Sequence, residues 1–232
     1  MKIVSIDIET TGVNKLKDQI CQVGAVIFDT ASETFNPKVM SWYVKLDPSD
    51  IHGSLFAIKM NANILDICTA KWPEKFDAFD IMEKMLITKE TFADTFKWWL
   101  NNNDAYDEDE KSIVFAGKNV GLFDIPFMEN FFDNFSSIRY KHRLMDPTPL
   151  CTLPNDTVPP DLKTCIDRTF GGSHQVKHLG YCDAMDVAMI LYAKIRNLWS
   201  EEEKKKVIKC AEEALNKFDE IEFALRTKLN LM

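Results

Sequence analysis

The segment Ile3-Val4-Ser5-Ile6-Asp7-Ile8-Glu9 places the tightest constraint on what this chain can become. It is apolar and β-branched and stops at Thr10-Thr11-Gly12, which reads as a strand running into a turn. Asp7 and Glu9 are two residues apart, so both side chains leave the same face of that strand. Adjacent carboxylates on an otherwise apolar strand repel each other unless the strand end emerges into water or a cation sits between them. A hard divalent ion with oxygen ligands resolves the second case.

The rest of the chain supplies a frame for that strand. Ile20 to Asp29 reads as a second strand and Trp42 to Leu46 as a third, joined as an antiparallel meander. From Ile51 to about Asn103 the pattern turns helical, with Phe92, Phe96, Trp99 and Leu100 at helical spacing and Thr91 placed to cap. The acidic run from Asp104 to Lys111 reads as a solvated loop. Ser112 to Ala116 is a fourth strand, after which Gly117-Lys118-Asn119-Val120-Gly121 leads into a helix starting near Asp124. Pro147, Pro149, Pro154, Pro159 and Pro160 mark a loop over about 146–160, followed by short helices at about 161–170 and 184–197. Ser200-Glu201-Glu202-Glu203 is a capping box that opens a long amphipathic helix. Strands first, then strand–helix alternation, give an α/β sandwich with a mixed β-sheet.

Several classes drop out. Acidic residues at positions 7 and 9 interrupt the apolar run a signal peptide needs, and no apolar stretch approaches the ~20 residues of a membrane span. The six cysteines are scattered with no Cys-x-x-Cys pair, as expected of reduced thiols in a cytoplasmic protein rather than a zinc site. Lys+Arg 28 against Asp+Glu 36 leaves a net charge of −8. A polyanionic partner would therefore need a local basic patch or bound metal cations.

The remaining polar positions each have two readings. Asp124 follows a strand and a glycine-containing loop, where on its own an N-cap, with Pro126 tolerated in the first turn, is the better explanation than a ligand. His178 and Asp183 flank Gly180; five residues on an ideal helix are about 140° apart, so they converge only if His178 lies on a loop and Asp183 on the following helix. A buried histidine and a helix cap are the plain alternatives, and Asp186 is a rival ligand one turn on. Phe127, Phe131 and Phe132 read as core, whereas Phe123 precedes the helix and is the better candidate for stacking on a base. Lys141-His142-Arg143 reads as a solvated charge run with phosphate contact as the alternative.

Taken in order, Asp-x-Glu-Thr-Thr-Gly on a strand, Asn-x-x-x-Phe-Asp, and His-x-x-x-x-Asp resemble the DEDD superfamily of 3′→5′ exonucleases. The histidine spacing matches its DEDDh branch, which includes proofreading subunits, oligoribonucleases and RNase T. The resemblance spans about residues 1–198. It implies an RNase H-like fold in which Asp7, Glu9, Asp124 and Asp183 hold two divalent metal ions, Mg²⁺ or Mn²⁺. It further implies that His178 is the general base, that Thr10 and Thr11 line a pocket for the 3′-terminal nucleotide, and that Asn119 supports that pocket. The expected partner is the 3′ end of single-stranded DNA or RNA, with no membrane partner. The expected domain plan is an exonuclease domain over 1–198, including a helical insertion at about 51–103, and a C-terminal helical extension over 199–232. That helix could pack on the core or pair two chains, so monomer and homodimer both stand. A catalytically inactive module that binds nucleic acid or protein is the alternative reading.

Overall fold

The computed structural model describes residues 1–73, 81–106, 112–172 and 177–231. Strands β1 (Lys2–Thr10), β2 (Ile20–Asp29) and β3 (Lys38–Val44) form the expected antiparallel meander. A two-residue strand completes the sheet at each edge. β4 (Leu86–Ile87) runs parallel to β3 and β5 (Phe115–Ala116) parallel to β1, giving the order β4-β3-β2-β1-β5. The third strand begins at Lys38 rather than Trp42, and β4 was not expected, since two residues carry no periodicity to read.

Helices α1 (Leu55–Met60), α2 (Ala62–Thr69), α3 (Ile81–Met85) and α4 (Phe92–Asn102) occupy the described parts of the region between β3 and β5. After β5 come α5 (Asp124–Phe131), α6 (Thr148–Cys151), α7 (Leu162–Phe170), α8 (Gly180–Ile195) and α9 (Glu201–Lys228). Thr91 does not cap α4 through its side chain; its hydroxyl accepts from the Thr88 N–H at 2.9 Å instead. The acidic run read as a loop lies, over 107–111, outside the described residues.

Strand alternation splits the core into two layers. One face, including Val4, Ile6, Val23, Ala25 and Trp42, is buried with α4 and α5. Trp42 is ringed there by Phe92, Phe96 and Trp99, with ring centroids 5.2–5.8 Å away. The 51–103 stretch thus contributes β4 to the sheet and α4 to the core. The other face, with Ile3, Val26 and Phe28, is buried under α7, α8 and the start of α9. Asp7 and Glu9 share alternation with Ile3, so they point towards the α8 side. The Ser200 capping box forms, and α9 buries Val207, Ala211, Phe218 and Leu225 against the same chain.

The seating of α8 depends on two glycines. Gly24 lies opposite Asp7 in the β1–β2 register, and a Cβ on it would come within 2.0 Å of the Tyr181 nitrogen and 2.1 Å of the Gly180 carbonyl carbon. The Gly180 N–H in turn donates to Gln22 Oε1 at 3.0 Å. Helix α8 therefore starts at Gly180, four residues before the expected start, because this contact offsets glycine's poor helix propensity. Gly24→Ala should cost about 1–3 kcal/mol in urea denaturation, as overpacking against backbone does. Gly172→Ala, where an added Cβ meets nothing within 4 Å, should stay within about 0.5 kcal/mol. Equal stability of the two variants would show that α8 does not rest on Gly24.

Candidate active site

β1 delivers the first two carboxylates. Its residues from Ile3 to Glu9 alternate as the sequence implied, and a register shift between Glu9 and Thr10 ends regular pairing just beyond them. Helix α8 delivers the third, because the close approach at Gly24 and Gly180 sets its first turn, with Asp183, over Asp7. Each of Asp7, Glu9 and Asp183 offers a carboxylate oxygen within 4.8 Å of the others.

Asp124 arrives by a different route from the one its position suggests. It is the first residue of α5, with Phe123 at the cap, and its carboxylate does not close its own helix. The Val4 N–H donates to Val114 O, so even-numbered residues of β1 direct their N–H groups towards β5. β5 stops at Ala116, which leaves the Ile8 N–H beyond its reach, and Asp124 Oδ1 accepts it at 3.1 Å in the buried interior. A residue that reads as a cap instead joins α5 to the strand bearing Asp7 and Glu9.

The electrostatics of the group are lopsided. Glu9 is 7% exposed and Asp124 2%. Burial pushes the Asp7 carboxyl well up, and the charges of Asp124, Asp183 and Glu9 push it further. Burial raises Asp183 to about 8, helped by Asp186 and Glu9. Burial likewise takes Asp124 to about 7, against the opposing hydrogen bonds from its own and the Ile8 backbone N–H, and Glu9 adds to the rise. Glu9 reaches about 6 by burial, held back by the Asn61 side chain. Among the described residues, no cation figures in the influences on any of the four. Asp183 Oδ1 is buried with no hydrogen-bond partner among the described residues. An all-carboxylate donor set with an orphaned buried oxygen fits a hard divalent cation, for which oxygen ligands are the rule.

The other expected residues divide. His178 is exposed on the turn before α8, with Asp183 in the first turn of that helix, the arrangement the spacing required. It is not among the residues whose ligand atoms cluster. Thr10 and Thr11 are buried, and their hydroxyls serve the β1–β2 turn. Thr10 donates to Gly12 O at 2.6 Å, and Thr11 accepts from the Gln19 N–H at 2.9 Å. Asn119 is exposed in a left-handed conformation (φ 58°), its N–H donating to Asp146 and its carbonyl accepting from Leu122 and Phe123. Phe123 is half-buried, 5.6 Å from the Phe127 ring, while Phe127, Phe131 and Phe132 are core.

Asn61, Gln22 and Gly24 were missed. Asn61 is 2% exposed and donates to Thr10 O at 3.0 Å, tying α2 to the strand end beside Glu9. Gln22 pairs with Glu9 across the sheet and holds α8. Both roles follow from register and long-range packing, which the sequence spacing did not expose.

No protein-family model matches the sequence, and no curated protein matches it. Solved structures do. The zinc-bound complex of E. coli ExoI with single-stranded DNA superposes with a TM-score of 0.54 at 14% identity over 88% of this chain. A product-bound structure of exonuclease I gives 0.53 at 13% over 88%, and the metal-free E. coli ExoI–single-stranded DNA complex 0.52 at 14% over 88%. The fold is exonuclease I-like. The match takes in 42%, 45% and 41% of those chains respectively, so this chain spans less than half their length.

The shifted carboxyls make stability depend on pH in a stated direction. Each titrates higher in the folded chain than at its ordinary value of 3.8 or 4.5. Between about pH 4 and pH 8 these four sites therefore bind more protons in the folded chain than in the unfolded chain, and the stability they contribute falls as pH rises; the acids that folding lowers, such as Asp156, are ionised in both states above about pH 5.5. In EDTA the melting temperature should be lower at pH 8 than at pH 5.5. Asp183→Asn should raise the pH 8 value by at least about 3 °C, the scale of 1 kcal/mol in a chain of this size. A metal-free melting temperature that climbs from pH 5.5 to pH 8 would contradict this electrostatic picture.

Proposed function

We propose that the chain is a metal-dependent 3′→5′ exonuclease that hydrolyses single-stranded DNA or RNA from the 3′ end and releases nucleoside 5′-monophosphates. The observation that carries this reading is that Asp7, Glu9 and Asp183 bring carboxylate oxygens within 4.8 Å of one another, with Asp124 outside that cluster but held against β1 by the Ile8 N–H, in an exonuclease I-like fold. That its structural neighbours include single-stranded DNA complexes supports the substrate class.

The four carboxylates would hold two divalent ions, Mg²⁺ or Mn²⁺. Bound there, such a pair supplies positive charge to the phosphodiester, lowers the pKa of water and stabilises the departing 3′-oxygen. The chain's own residues do the rest. Burial and mutual repulsion keep the carboxylates from being satisfied internally, so their charge is available to cations. His178, on the exposed turn that leads into α8, takes the proton of the attacking water on a ring nitrogen, a role suited to imidazole near neutral pH. Water attacks phosphorus, the P–O3′ bond breaks to release the nucleoside 5′-monophosphate, and the departing 3′-oxygen on the shortened strand takes a proton from solvent. Phe123 is the half-buried ring beside Asp124 placed to stack on a base, and the turn fixed by Thr10, Thr11 and Asn61 forms the wall next to Glu9. Asn119 shapes the loop that presents Phe123.

A gel time course on matched 5′-labelled single-stranded DNA and RNA, with Mg²⁺, Mn²⁺ or EDTA, tests this. The expected result is a metal-dependent ladder shortening from the 3′ end, with the faster substrate naming the sugar preference. Asp7→Ala and Asp183→Asn should reduce cleavage to background, and His178→Ala should slow it about 10²–10⁴-fold, the usual contribution of a general base. No cleavage by folded wild-type protein would favour the inactive binding module.

A further inference from the structure

Resting on that exonuclease reading, we propose that Asp219 in α9 is a positioning residue that holds the His178 turn and the start of α8, making the C-terminal helix a working part of the active site. His178 is flanked on both sides by residues that contact one carboxylate. The Tyr181 hydroxyl donates to Asp219 Oδ1 at 2.8 Å, and Lys177 Nζ lies 3.8 Å from Asp219 Oδ2. His178 sits between these two anchors, within a tight bend closed by the Leu179 N–H donating to Lys177 O at 2.7 Å. Behind the carboxylate, the Phe218 ring packs on Tyr181 with centroids 4.8 Å apart. Asp183 follows Tyr181 by two residues, so the same clasp fixes the first turn that carries it.

The two contacts differ in weight. Tyr181 is 2% exposed, and its hydroxyl is the donor of the pair. A hydrogen bond from a buried hydroxyl to a carboxylate is charge-assisted and directional. The Lys177 pair is long and its side chains are 61% and 39% exposed, so water screens it. Tyr181 is therefore the principal anchor and Lys177 the lesser one. A catalytic group misplaced by about 1 Å can cost on the order of 10²-fold in rate, so an anchor of this kind bears on turnover without touching substrate.

Asp219→Ala, Asp219→Asn, Tyr181→Phe and Lys177→Met, made in the full chain, test the proposal by two independent readouts. In metal-free protein, amide hydrogen exchange over residues 177–183 should quicken about tenfold or more in Asp219→Ala, while the sheet stays protected. Asp219→Asn keeps an acceptor for Tyr181 and should restore most of the protection. Tyr181→Phe should resemble Asp219→Ala, and Lys177→Met should change little. In turnover, Asp219→Ala should lower kcat about 10–100-fold with KM for the oligonucleotide within about twofold, and Asp219→Asn should recover much of it. Unchanged exchange over 177–183 in Asp219→Ala would overturn the clasp, as would a general loss of protection across the sheet. Wild-type protein that cleaves no oligonucleotide overturns the exonuclease reading instead, and exchange alone then decides the clasp.

Discussion

Carboxyl groups from β1, α5 and α8 share a buried region in which the interactions acting on them are desolvation, one another's charges and a few hydrogen bonds. Without a cation, burial and the neighbouring charges favour the protonated forms, which lifts Asp124 to about 7 and Asp183 to about 8. The sheet, the seating of α8 and the short reach of β5 all maintain that unfavourable arrangement. Such strain persists where the surrounding packing over-determines it, and a cation held there would relieve it.

The packing that enforces the arrangement is specific. Gly24 removes a side chain where α8 must lie flat on β2, Gln22 binds the first N–H of that helix, and Asp124 takes the β1 N–H that β5 is too short to reach. On the opposite face, Trp42 and its aromatic ring of neighbours keep the meander rigid. The carboxylates thus stand on regular elements, while His178, the proposed general base, stands on a turn whose flanking residues Lys177 and Tyr181 contact Asp219 of α9.

Legibility of the sequence followed locality. The meander, the two carboxylates of β1, the capping box at Ser200 and the loop-then-helix placing of His178 and Asp183 all rest on spacing within a few residues, and the structure has them. The β4 edge strand escaped because two residues show no period. Helix α8 began earlier than expected because a glycine start makes sense only against Gln22 and Gly24. Asp124 looked like a cap because its true partner is the Ile8 N–H, 116 residues away. Asn61 and Asp219 were silent for the same reason: nothing near them in sequence signals the strand end or the tyrosine they meet.

The most direct measurement is calorimetric titration of Mn²⁺ into metal-free protein at pH 7, repeated in buffers of different ionisation enthalpy. Carboxyls that are partly protonated without metal must release protons when they become ligands. The account predicts saturable binding with proton release, both lost in Asp7→Ala and Asp183→Asn. Absence of saturable binding in the wild-type protein, or binding undiminished in those variants, would contradict it.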